Sequence, residues 1–242
     1  MATRLWSVVC DCQNPSELGR WWAETLGWRV TGESSDEVTV EAAGEDRPFS
    51  LVFGSVPEPK VSKNRLHLDL ATASFEEQAV TVERLLARGA ARIDIGQENV
   101  LWVVLADPEG NEFCVLDPQE RYRGAEALAA VVVDAANPAR LAGFWAEAVG
   151  WPVGFISDNM VSLHRPGDRP PYIEFVRVND TKTGKNRVHL DVAPRLDDDR
   201  NAEVDRLIGL EARRVDVGQG SEVTWVVLAD LESNEFCVLR PR

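Results

Sequence analysis

No stretch of this 242-residue chain approaches the ~20 consecutive apolar residues of a membrane-crossing helix. The opening residues, MATRLWSVVCDCQNP, turn polar too early for a secretory leader. There is no GxGxxG or P-loop to cradle a phosphate, and no GxSxG elbow around a nucleophilic serine. The Asp197–Asp198–Asp199 run lacks the spacing of a calcium loop and reads as the cap of a following helix. Cysteine is scarce: Cys10 and Cys12 are spaced C-x-C, while Cys114 and Cys237 stand alone, which is no zinc-finger pattern. With no export signal, reduced thiols in a cytoplasmic protein are expected. Basic residues are also in deficit, 26 against 40 acidic, for a formal net charge of −14. That balance repels nucleic acid and anionic membrane and favours solubility, so neither is an expected partner.

What the chain does contain, it contains twice. Trp102 to Leu116 reads WVVLADPEGNEFCVL, and Trp225 to Leu239 reads WVVLADLESNEFCVL. NPSELGRWWAETLGW, from Asn14, recurs as NPARLAGFWAEAVGW from Asn137, and NRLHLDL, from Asn64, as NRVHLDV from Asn186. The blocks keep their order and almost their register, which indicates a duplicated domain rather than a short-period solenoid. The halves are expected at residues 1–118 and 127–242, joined by a charged linker, 119–126.

Within the first half, Leu5 to Cys12 reads as a strand. Asn14, Pro15 and Glu17 then start a helix whose Leu18, Trp21, Trp22, Thr25 and Leu26 share one face, and Gly27 stops it. Strands near Val38–Ala42 and Ser50–Phe53 follow. A second cycle runs Arg65–Ala71, a helix capped by Ser74 and Glu77, then strands at Ala91–Ile95, Val100–Leu105 and Asn111–Leu116. Each half is therefore two βαβββ modules, an α+β chain of four modules in all. In RLHLDLA, Leu66, Leu68 and Leu70 face one way and Arg65, His67 and Asp69 the other. A curved sheet with helices outside and a partly polar concave side accommodates both faces.

These modules, with NRVHLDV and ADPEGNEFCVL, resemble the glyoxalase/bleomycin-resistance/dioxygenase group, the vicinal oxygen chelate superfamily, over nearly the whole chain. The resemblance implies two glyoxalase-like half-open barrels, each around a cleft, and a superfamily containing both metal-dependent enzymes and drug-binding proteins. Metal-dependent members carry ligands on the first, fourth, fifth and last strands of a barrel. Taken within each half, those positions are Ser7, Val52, His67 and Cys114, then Ala130, Glu174, His189 and Cys237. Most of the expected carboxylates are missing, so no resident metal is expected; the alternative is a divalent ion in the second half on Glu174, His189 and Cys237.

The ligand-binding candidates are His67, Asp69, Trp102, Cys114, Glu174, His189, Asp191, Trp225 and Cys237. His67, His189 and Glu174 are the candidates for catalysis. Each has a plainer reading: the histidines as hydrogen-bonded cleft walls, the cysteines as small buried residues, the tryptophans as core anchors. The expected function is binding of a small apolar or aromatic molecule, as in sequestration or resistance, or a metal-independent activity. The alternative is a metal-dependent lyase, isomerase or dioxygenase using Glu174 and His189. Each half is expected to close its own cleft, with the other half as built-in partner in a pseudo-twofold monomer or, alternatively, with a second copy in a homodimer.

Overall fold

The computed structural model describes residues 3–44, 47–220 and 222–242. The first half runs β1 (Arg4–Cys12), α1 (Pro15–Leu26), β2 (Arg29–Glu33), β3 (Glu37–Glu41), β4 (Ser50–Ser55), β5 (Leu66–Leu70), α2 (Phe75–Ala87), β6 (Ala91–Arg92), β7 (Val103–Ala106) and β8 (Glu112–Val115). A 3-10 turn, Glu120–Tyr122, lies in the linker. The second half repeats the order: β9 (Leu128–Ala135), α3 (Pro138–Val149), β10 (Val153–Ile156), β11 (Met160–Leu163), β12 (Tyr172–Arg177), β13 (Val188–Ala193), α4 (Arg200–Gly209), β14 (Arg213–Arg214), β15 (Val226–Ala229) and β16 (Glu235–Val238). The four-module α+β reading is observed. No helix of the described residues is long and apolar enough to cross a membrane.

The strands form two eight-stranded mixed sheets, and the pairing corrects one expectation. The first sheet has the order β14-β15-β16-β13-β1-β4-β3-β2, the second β10-β11-β12-β9-β5-β8-β7-β6. Each sheet therefore joins one module from each half: β1 pairs antiparallel with β13, and β5 with β9. Neither half closes a cleft of its own. The first cleft is built from the first and last modules, the second from the two middle ones.

The main core is one cluster that runs through both halves, and its arrangement repeats in each. On α1 the apolar positions Leu18, Trp21, Trp22 and Leu26 are buried, and they belong to one cluster with Val38, Val40, Leu51, Phe53 and Phe113. Trp21 and Trp22 meet the Phe113 ring edge-on, at 5.7 and 5.1 Å. Phe144, Trp145 and Phe236 repeat that arrangement in the second half. Trp28 and Trp151 are buried in the same core. Gly27 and Gly150 end α1 and α3 at φ 67° and 71°, the left-handed conformation that favours glycine. Ser74 and Asp199 cap α2 and α4 as expected, accepting from the backbone N–H of Glu77 and Ala202.

Two strands are shorter than the sequence implies. Residues expected in strands at Ala91–Ile95 and Val100–Leu105 are paired only at Ala91–Arg92 and from Val103 onward. Gly96 and Asn99 between them adopt φ 80° and 56°, which takes the chain out of extended geometry.

Candidate functional site

The repeated turn positions the clefts without entering them. Asp107 accepts from the indole N–H of Trp22 at 3.1 Å and from the backbone N–H groups of Glu109 and Asn111. Asp230 does the same for Trp145, Glu232 and Asn234. Glu109 accepts from the backbone N–H groups of Gln13 and Asn14, which places a carboxylate at the start of α1, where the Asn14 side chain makes no capping bond. It also pairs with Arg187 of the other half at 3.1 Å. Glu232 mirrors it, on Ala136, Asn137 and Arg65. These clamps tie turn, helix start and opposite half together, and so hold β8 beside β5 and β16 beside β13. That is the physical role of much of the repeated motif.

Register then places the polar residues. In the first sheet Ser7, Asp191 and Cys237 are lateral neighbours on the face away from α1, and His189 lies beside Val9 on that face. Ser7 Oγ donates to Asp191 Oδ2 at 3.1 Å. Asp191 Oδ1 is buried with no hydrogen bond, and the His189 Nε2 is 3.6 Å from it. Burial pushes the Asp191 carboxyl up, against the opposing pull of His189, Ser7 and Cys237. Burial, then Asp191, pushes the Cys237 thiol far above neutral pH. Trp6, Val215, Val217, Val227 and Leu239 surround Cys237 with apolar surface. Trp225 is 39% exposed.

The second sheet repeats the row as Ala130, Asp69 and Cys114, with His67 beside Val132. His67 Nε2 is 3.3 Å from Asp69 Oδ1, which makes no hydrogen bond. Burial works against ionisation of His67, but the adjoining Asp69 carboxylate outweighs it and raises the imidazole above its ordinary value. The Cys114 thiol is held protonated by burial and by Asp69. Trp102 is partly buried against this group and donates to Gln97 at 2.8 Å.

Glu174, on β12, belongs to this second cleft, because it and His67 both register with Val132. The grouping of Glu174 with His189 and Cys237 is therefore wrong: the two sit on the first sheet, and crossed pairing separates them from β12. Glu174 is instead held by the linker. The Tyr122 hydroxyl donates to its carboxylate, 2.9 Å from either oxygen, and the Arg121 guanidinium lies 3.5 Å away. Burial raises Glu174 to about 7, although Arg121 and Tyr122 oppose the shift.

Sequence reasoning missed Tyr122 and Arg121, which sit outside the repeats in a charged linker; the signal available was a lone aromatic in a polar segment. It also missed Ser162, His164 and Asp168. Ser162 Oγ is 2.8 Å from His164 Nε2, and His164 Nδ1 is 2.5 Å from Asp168. The imidazole stacks on Tyr172 at 3.8 Å. Ser162 is buried and Asp168 exposed, the reverse of a nucleophile open to substrate.

With the pairing corrected, the family's four ligand positions become Ser7, Val52, His189 and Cys237 in the first cleft, and Ala130, Glu174, His67 and Cys114 in the second. Neither set fits a hard divalent ion, since the first has no carboxylate and in the second Glu174 is engaged by Tyr122. A different trio converges in each cleft: the donor atoms of His67, Asp69 and Cys114, and those of His189, Asp191 and Cys237, each lie within 4.8 Å of one another. Nitrogen, oxygen and sulfur together suit a thiophilic ion such as zinc.

This fold recurs in solved structures. A putative dioxygenase from Bacillus subtilis subsp. subtilis str. 168 matches in structure at TM-score 0.65 and 12% identity, over 99% of this chain and 86% of that one. Glyoxalase I from Zea mays matches at TM-score 0.64 and 12% identity, over 99% and 92%. At that identity the likeness is one of fold. No curated protein sequence matches the chain. The model of the glyoxalase-like domain matches twice, over residues 7–116 and 130–239. The chain belongs to the glyoxalase-like domain family, within the vicinal oxygen chelate superfamily, as two tandem copies.

Proposed function

We propose that the chain binds a small apolar or aromatic molecule bearing a hydrogen-bond donor in its first cleft. The observation that supports this is Asp191 Oδ1, a buried carboxylate oxygen that accepts no hydrogen bond, with His189 Nε2 3.6 Å away. A buried acceptor left unpaired costs free energy, so a donor arriving from a ligand gains more here than at a paired site. Trp6 and Val227 offer apolar wall, and the part-exposed Trp225 immediately precedes β15. His189 and Asp191 together can accept and return a proton, which keeps a metal-independent activity within reach of the same residues.

The test is a thermal-shift and calorimetric screen of aromatic amines and alcohols against matched hydrocarbons. Donor-bearing compounds should stabilise the protein, and Asp191→Asn should weaken them by about tenfold. Stabilisation that ignores the donor, or an unchanged affinity in the variant, refutes the reading.

A second reading rests on the His–Asp–Cys trios. Zinc held there would need the thiol deprotonated, and binding would release a proton. Near-stoichiometric metal in untagged protein, with a fall in Tm on chelation, supports it; metal-free protein indifferent to added zinc refutes it.

A further inference from the structure

We infer that the second cleft is a binding site for a small phenol, and that Tyr122 of the linker is its built-in occupant. Residues 120–126 are exposed or half-buried except Tyr122. The turn's own backbone bonds are local, from Tyr122 to Gln119, Arg123 to Glu120 and Ala125 to Tyr122. What fixes it across the cleft is the phenol on Glu174, a residue from the sheet floor that is only 2% exposed, together with Arg121, which donates to Met160 Sδ. The charge nearest that carboxylate is Arg121, which the same turn supplies. Were the turn withdrawn, Glu174 would lose both partners and stand at the sheet floor as an acceptor open to an incoming donor of the right shape.

The space for a ring is also built into the sheet. Ala129 and Ala130 stand where the first half has Trp6 and Ser7. They form one apolar cluster with Val132, Tyr172 and Tyr122. The Tyr122 and Tyr172 rings lie 6.3 Å apart at 34°. In the first cleft the position of Glu174 is Val52, so the pairing of acceptor and ring-sized space is particular to the second. A phenol matches both; a hydrocarbon matches only the space. This inference does not depend on the ligand assigned to the first cleft, and Asp191→Asn should leave it unchanged.

The test uses the full chain with Tyr122→Ala and p-cresol, the free equivalent of the lost side chain. The variant should have a lower Tm, which p-cresol restores while toluene restores far less, with about tenfold tighter binding of p-cresol. Adding Glu174→Leu should abolish the preference. Equal rescue by toluene, or no rescue of a folded variant, overturns the proposal. If Tyr122→Ala does not fold, the wild type carries the test through trypsin cleavage at the exposed Arg121 and Arg123. Displacement of Tyr122 by p-cresol should speed cleavage there and toluene should not; a rate unmoved by p-cresol overturns the proposal.

Discussion

Replacing Glu174 by glutamine should change how stability depends on pH, and the size of the change follows from burial. The carboxyl is raised from 4.5 to about 7, chiefly because its charged form is desolvated, with the negative Asp69 adding to the shift and Arg121, Tyr122 and His67 opposing it. A raised acid holds its proton more tightly folded than unfolded. Its contribution to stability is present in full below the unfolded value, and is lost as pH rises through the folded one. At about 1.4 kcal/mol per pH unit, roughly 2–3 kcal/mol should disappear between about pH 5 and pH 8. Glutamine keeps the shape and an acceptor for Tyr122 but does not titrate. Urea unfolding of both proteins across that range should show the wild type losing ground to Glu174→Gln as pH rises; other titrating groups cancel in the difference. Parallel curves would refute the argument. So would a wild type that gains on the variant, since Arg121 would then govern the carboxyl.

Four further outcomes follow from the geometry. Glu109→Gln and Glu232→Gln should each cost about 1–3 kcal/mol in denaturant unfolding, because each carboxylate serves two backbone N–H groups and an arginine. Gly154→Ala should destabilise by about 1–3 kcal/mol, since an added Cβ would sit 2.2 Å from the His164 ring. That cost should shrink in a His164→Ala background, which a double-mutant cycle measures. Cys114 and Cys237 should resist iodoacetamide at neutral pH in the folded protein and react on unfolding, as peptide mapping would show. A chain cut between Arg123 and Gly124 should still elute as one species, because β1 with β13 and β5 with β9 join the halves.

The duplication, the helix faces and their stops were legible because they depend on local chemistry: an apolar period, a glycine at a left-handed position, a serine three residues before a glutamate. Which residues share a strand face was legible for the same reason, and His67 does lie with Asp69, as His189 does with Asp191. Strand partnership was not. All four modules present similar alternating strands, and nothing in the period of NRLHLDL distinguishes β1 from β9 as its neighbour. That ambiguity grouped Glu174 with the wrong histidine. The DPEGN turn read as a turn, but its second task, in which Glu109 reaches α1 and Arg187, depends on a three-dimensional approach that spacing does not encode.

Crossed pairing also changes what the duplication means. Each cleft combines a wall from β5–β8 or β13–β16 with a wall from β1–β4 or β9–β12. The strands of the former are nearly the same sequence twice, and each brings a histidine, an aspartate and a cysteine in one spatial arrangement. The latter keep their helix but differ on the cleft face: Trp6, Ser7 and Val52 against Ala129, Ala130 and Glu174. The histidine, aspartate and thiol that could exchange a proton or ligate a metal are therefore on the repeated wall. The residues that differ lie on the other wall, where Glu174 in place of Val52 gives the second cleft a further acceptor, answered by the chain's own Tyr122, and Ala130 in place of Ser7 leaves Asp69 without the serine donor that Asp191 has. Because each half supplies one wall to each cleft, a change on a divergent wall acts on a repeated wall of the other half, as Ser7 does on Asp191.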